Sequence, residues 1–280
     1  MLHRFERPQS IAEAARLLAS GSWAVLAGGT DLYPAHVGRT IAAPLLDITA
    51  IAGLRGIRRD DRGWTIGATT TWTDVVRAEL PLLFDALKAA ARVVGGVQIQ
   101  NTATVAGNLC NASPAADGTP VLLALGGRVV LQSARGEREL ALDEFVLGSR
   151  RTARAADELV VAVRIPARSP KARSAFAKLG GRRYLTISIS TVAVVIDVDA
   201  NGRVAEAGVA VGSCSAVARR LPTLEARLVG MAADADLAGA LELADLAPLT
   251  PIDDLRGSAA YRFDATATLV RRALGEVTSP

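Results

Sequence analysis

A five-residue apolar run, Trp23-Ala-Val-Leu-Ala27, stops at Gly28-Gly29 and continues as Thr30-Asp31-Leu32. The run is long enough for a strand and too short for a helix, so the backbone has to turn sharply where the glycines begin. Glycine has no Cβ, so a ligand can approach the turn closely and successive N–H groups can converge on one anion, such as a phosphate. Thr30 adds a hydroxyl, and Asp31 can cap or orient the turn. The stretch is neither the GxGxxG of a dinucleotide-binding βαβ unit nor a P-loop, and taken alone it is compatible with a purely structural turn.

The residues around it read as a small α/β unit. Ser10-Ile-Ala-Glu13 has the form of a capping box, helical apolar spacing continues to Leu18, and Gly21 closes the helix. Pro44-Leu-Leu-Asp-Ile48 is a second short strand candidate. From Trp64-Thr-Ile-Gly-Ala68 the pattern changes, with a helix from about Thr73 and a stronger one from about Pro81 to Val94, stopped by Gly95-Gly96. Arg128-Val-Val-Leu-Gln132, a turn at Ala134-Arg-Gly136, and Glu158 to Ile165 suggest antiparallel strands. Pro166 and Pro170 mark a linker. Beyond it, Ile187 to Val198 and Val204 to Gly212 flank Asn201-Gly202, a type I′ hairpin signal, and alanine-rich helical segments follow, the last from about Phe263 to Leu274. No internal repeat is visible.

Composition narrows the function classes. The 280 residues are 50% hydrophobic and 21% charged, which favours globular domains over disorder, and two domains over one. No stretch reaches the roughly 18 uncharged apolar residues of a membrane span, and Arg4, Glu6 and Arg7 precede any apolar run, so a cytoplasmic location is expected. Cys110 and Cys214 form no CxxC pair and suggest neither a disulfide framework nor a metal-ligand set. A net charge of +4 raises nucleic-acid binding, but the arginines are scattered and aromatics are only 4%, so that partner is not expected. Cations thicken from Arg150 to Arg183, either as a solvated face or as a docking surface for an anionic cofactor or partner. With only His3 and His36, the chain has little material for a nucleophilic triad, and no catalytic acid, base or metal site is assigned.

A second segment, from Asn101 to Pro120, is rich in small residues, Asn and Thr, and ends near Asp117; it reads as a long functional loop. Together the two segments resemble the FAD-binding subunit of the molybdenum-containing hydroxylases, the xanthine dehydrogenase and carbon monoxide dehydrogenase group. An AGGTDL-like and a TIGGN…ASPxxD-like loop grip the FAD diphosphate in that family. Leu46-Asp-Ile48 and Leu54-Arg-Gly-Ile57 extend the likeness, which spans nearly the whole chain. It implies an α+β fold: a two-subdomain, PCMH-like FAD-binding domain over residues 1–171 (subdomains about 1–55 and 56–171), then a smaller C-terminal α+β domain, 172–280, with an antiparallel sheet and helices.

By the same resemblance, Val25, Leu26, Ala27, Gly28, Gly29, Thr30, Asp31 and Leu32 form the first diphosphate loop, with Gly29 leaving room for the diphosphate. Thr104, Val105, Ala106, Gly107 and Asn108 form the second. Asp117 falls near the ribose and adenosine part, Val160 where the backbone meets adenine, Lys178 close to the flavin, and Ile187 against the isoalloxazine face. Relatives often read GTIGGN where this chain has Ala103-Thr-Val-Ala-Gly-Asn108, so a left-handed φ at Ala103 or Ala106 would be strained. The family's Asp-Ile-Ala is Thr186-Ile-Ser188 here. The implied function is an oxidoreductase electron relay: FAD in this chain, 2Fe–2S clusters on a small subunit, and a molybdopterin cofactor on a large one, in a dimer of heterotrimers. A self-sufficient flavin-dependent oxidase or reductase of the same superfamily is the alternative, and a cofactor-free scaffold a third reading.

Overall fold

The computed structural model describes residues 4–278; His3 lies outside them. The first unit is small. Strand β1 (Phe5–Glu6) precedes helix α1 (Ile11–Ala19), and β2 (Ala24–Leu26) and β3 (Leu45–Asp47) complete a parallel sheet in the order β1-β3-β2. Ser10 Oγ accepts the Glu13 N–H, but the Glu13 carboxylate turns to the Gln9 N–H, so only half of the expected capping box forms. Ala14 and Leu18 of α1 pack with Trp23, Leu46 and Ile48, and this cluster continues onto Val130, Leu159 and Val161 of the next sheet.

The second unit begins with β4 (Ile57–Asp60) and β5 (Gly63–Gly67). Helix α2 (Trp72–Arg77) follows, then α3 (Asp85–Val93), α4 (Val97–Thr102), α5 (Val105–Asn111) and α6 (Gly118–Ala124). The unit closes with β6 (Arg128–Ser133), β7 (Gly136–Ala141), α7 (Leu142–Phe145), the short pair β8 (Val146–Gly148) and β9 (Arg151–Thr152), and β10 (Leu159–Pro166). The expected pairing of 128–132 with 158–165 is present: β4-β5-β10-β6-β7 is one antiparallel sheet, with a bulge in β10 between Val160 and Ala162.

Two local expectations change here. The helix foreseen from Pro81 starts as a 3-10 turn, Leu82–Phe84, before α3 takes over. The segment 101–120 is not one long loop but three short helices broken at Ala103-Thr104 and at 112–117, because Thr104 caps a new helix while Ala112 ends it in the left-handed region at φ 48°.

The third unit is an antiparallel sheet, β11 (Arg173–Gly180), β12 (Ser188–Val198), β13 (Val204–Gly212) and β14 (Arg219–Arg220), covered by α8 (Pro222–Leu228) and α9 (Ala259–Thr278). The turn between β12 and β13 is not type I′. Asp199 Oδ1 accepts from the N–H groups of Asn201 and Arg203, and of the two central residues only Gly202 has positive φ, 75°. Side chains of β12 alternate between two cores: Val192, Val194 and Ile196 face α8 and α9, whereas Ala193 and Val195 join the core built on Trp72, Phe84, Leu87 and Leu122. Burial on both faces explains why this strand reads as an unbroken apolar run.

Candidate functional site

Loop 27–32 leaves the end of β2 and meets the α4–α5 junction. A Cβ on Gly28 would lie 2.1 Å from the Thr102 carbonyl oxygen, so glycine is required for the two backbones to touch. Gly29 takes φ 70°, and its absent Cβ would strike the Tyr33 ring at 2.5 Å. Gly29 is therefore needed for the shape of the turn, and it lines the cleft as well. A side-chain bond, Asn111 Nδ2 to Asp31 Oδ1 at 3.1 Å, joins the two segments a second time. The N–H groups of Gly29, Thr30 and Asp31 donate to no acceptor among the described residues, so they remain available at the turn.

The second segment is held from behind. Thr104 Oγ1 accepts the Gly107 N–H at 3.0 Å, Val105 N–H donates to the Thr70 carbonyl at 2.9 Å, and Trp72 N–H donates to the Ala103 carbonyl at 3.2 Å. Ala103 has φ −64° and Ala106 lies within α5, so neither alanine needs the left-handed backbone, and the feared strain is absent. Glycine is not required at either position for φ.

Between the segments runs a cleft of about 520 Å³, a size suited to a small-molecule or cofactor site. It is lined by thirteen of the seventeen residues singled out from the sequence: Val25 to Leu32, Thr104, Ala106, Gly107, Asn108 and Val160. Val105 is fully buried behind it in the core. Asp117, Lys178 and Ile187 lie elsewhere. Lys178 Nζ donates to Asp117 Oδ2 at 2.6 Å, and Ser188 Oγ donates to Asp117 Oδ1 at 2.6 Å. Burial pushes the Asp117 carboxyl above the usual range, against the pull of Lys178 and Ser188. Ile187 is 53% exposed and borders a second hollow with Ser113, Pro114, Ser188 and Ser213.

Some of the lining is held by residues whose polar atoms are left without partners, and among these Trp72 had no warning in the sequence. Trp72 is fully buried and its Nε1 has no hydrogen-bond partner; Asn108 Oδ1 is also buried and unpaired. Orphaned polar atoms beside a cleft are what a bound polar ligand would satisfy. His36 lines the cleft too, with Nδ1 donating to the Leu32 carbonyl at 2.8 Å. Arg150 and Arg154 reach it from the β8–β9 hairpin and the loop that follows, although only their membership of a cation-rich stretch distinguished them. That stretch is not one face: Arg164 and Arg168 pair with Glu139 and Glu206, and Lys178 pairs with Asp117.

Residues 2–168 match the family described as the FAD binding domain in molybdopterin dehydrogenase, and residues 174–277 match the CO dehydrogenase flavoprotein C-terminal domain. The chain belongs to the FAD-binding family of the molybdopterin dehydrogenases. Among members of this family, the carbon monoxide dehydrogenase medium chain of Hydrogenophaga pseudoflava is 33% identical, over 97% of this chain and 96% of the relative. The nicotine 6-hydroxylase medium subunit of Paenarthrobacter nicotinovorans is 31% identical, over 98% and 96%. Among solved structures, reconstituted CO dehydrogenase from Oligotropha carboxidovorans superposes with a TM-score of 0.89 at 28% identity, covering 99% of this chain and 98% of that one. This molybdopterin-dehydrogenase relative is therefore an α+β oxidoreductase flavoprotein subunit with FAD as its cofactor. No helix among its described residues is long and apolar enough to cross a membrane.

Proposed function

We propose that this chain is the FAD-bearing electron relay of a heteromeric, cytoplasmic molybdenum hydroxylase or dehydrogenase. It would take electrons from 2Fe–2S clusters on a small subunit, fed by a molybdopterin cofactor on a large subunit, and deliver them to an external acceptor. The observation that carries the reading is the cleft itself: two sequence-distant loops, touching at Gly28 and Thr102 and cross-bonded through Asp31 and Asn111, surround unpaired donors and acceptors.

Within it, the N–H groups of Gly29, Thr30 and Asp31 and the Thr30 hydroxyl would hold the diphosphate from one wall, and Thr104 to Asn108 would form the other. The orphaned Asn108 Oδ1 and Trp72 Nε1 suit the cofactor's hydroxyl and phosphate chemistry. Val160 sits beside a strand bulge, and its backbone would meet the adenine end. Lys178 and Ile187 would serve the flavin end, with Ile187, on the second hollow, lying against the isoalloxazine face, and Asp117, which the resemblance sets near the ribose and adenosine part, would hold Lys178 in place. FAD, once bound, exchanges electrons singly or in pairs, which lets it join one-electron clusters to two-electron acceptors. The division at about 171/172 would then separate the cofactor-binding part from a supporting C-terminal domain.

Relatives of similar overall likeness carry the names of carbon monoxide, nicotine and caffeine enzymes. That spread supports a shared relay whose substrate chemistry would lie on another subunit; the assembly we propose is a dimer of heterotrimers. The test is the visible spectrum of the gently purified native protein, followed by denaturation. A flavin spectrum, FAD released on unfolding, and two copurifying chains with iron–sulfur absorbance are the expected results. A colourless native complex that cannot be reconstituted with FAD would overturn the reading.

A further inference from the structure

The cleft lining carries two arginines, Arg150 and Arg154, and the structure leaves both without a carboxylate partner among the described residues. Arg128, Arg135, Arg138, Arg164 and Arg168, on the same sheet and its flanks, are all paired with Glu or Asp. Arg154 Nη1 touches only backbone, donating to the Ala155 carbonyl at 3.2 Å and the Glu158 carbonyl at 2.7 Å. The nearby carboxylates are already engaged, Asp157 by Arg135 and Glu158 by Arg138. Arg150 is held in the left-handed region at φ 55°, and its N–H donates to the carbonyl of Ala112, itself left-handed at φ 48°. Non-glycine residues reach that region at a cost, and such strain persists where the surrounding structure enforces it. Here it fixes the hairpin that carries Arg150 to the end of α5.

The cleft therefore holds two guanidinium groups against one carboxylate, Asp31, whose Oδ1 already accepts from Asn111. Guanidinium groups with free donors in a partly enclosed site bind phosphate oxygens through paired, charge-assisted hydrogen bonds. We infer that Arg150 and Arg154 are cofactor-binding residues that clamp the FAD diphosphate together with the Gly28-Gly29 turn, and so set the preference for FAD over flavins with fewer phosphates. This rests on the functional reading above, because it names further contacts for the same cofactor.

The experiment uses the full chain, stripped of flavin and titrated with FAD, FMN and riboflavin by fluorescence quenching at low and high salt. The unchanged chain should rank them FAD, FMN, riboflavin, with FAD binding weakened by salt. Arg150→Gln and Arg154→Gln should each raise the FAD Kd about tenfold, the loss expected for one charged hydrogen bond. The double variant should lose about a hundredfold and most of the salt dependence, with riboflavin affinity unchanged. Arg154→Lys, which keeps the charge, should recover much of the FAD affinity at low salt. Unchanged FAD binding in the double variant would overturn the assignment. So would an equal loss for FAD and riboflavin, since that would make the arginines supports of the cleft's shape. A wild-type chain that takes up no FAD at all would instead sink the functional reading, and this inference with it.

Discussion

At the scale of single residues, the glycine turn divides its labour in a way that only the structure separates. Gly28 is needed because another backbone lies where its side chain would be, and Gly29 because its φ is positive and Tyr33 crowds it. Gly28→Ala should therefore destabilise the chain by about 1–3 kcal/mol, the usual range for overpacking, and force the two loops apart. The matched control is Gly53→Ala, where nothing lies within 4 Å of the new Cβ and where the effect should stay within about 0.5 kcal/mol. Thermal unfolding with FAD retention checks both, and equal melting shifts for the two variants would count against the backbone-contact account. The sequence made the turn legible, because paired glycines after an apolar run have few other uses. It could not say which glycine served which purpose, since the obstacle to Gly28 is Thr102, more than seventy positions away.

At the scale of elements, the second loop was legible in composition and misread in form. Its Asn and Thr residues are weak helix formers that favour caps and turns, so they suggested one irregular stretch. In the fold they cap and end short helices whose stability comes from packing: Val105 and Leu109 of α5 are fully buried. Thr104 anchors that arrangement. Replacing it with Ala should cost about 1 kcal/mol through loss of the cap to the Gly107 N–H, and Thr104→Ser should recover most of it. Hydrogen exchange localised to α5, together with FAD affinity, reports the outcome; an unchanged α5 in Thr104→Ala would contradict the capping role. The cleft residues that escaped notice, Trp72, Arg150 and Arg154, sit on elements far apart in the chain, and only the reciprocal backbone bonds of 70–72 with 103–105 and the tie from Arg150 to Ala112 bring them together.

At the scale of the whole molecule, the Asp117–Lys178–Ser188 cluster joins the segment of the second loop to two strands of the C-terminal sheet. Removing Lys178 alone, as Lys178→Met, should cost about 3–5 kcal/mol, because it strands a buried carboxylate. The double variant with Asp117→Asn should lose far less. The pH dependence follows from the raised Asp117 value. Its contribution to stability is fully present below the unfolded value of 3.8 and is lost as pH rises through the higher folded value. Asp117→Asn should remove that slope from denaturant titrations run across the acid range, and an identical pH profile in the variant would show that Asp117 does not titrate as described.

The same interlocking has a consequence for how such a chain can have come about. The two matched family segments meet between residues 168 and 174, yet Ala172, Ala193, Val195 and Ala210 lie in the core built largely from the first segment. A break at that joint would expose an apolar sheet face on one side and open the floor beneath the helices on the other. A second segment taken from elsewhere would therefore need equally small residues at the positions that fit beneath the first, so the two halves are poor candidates for free exchange.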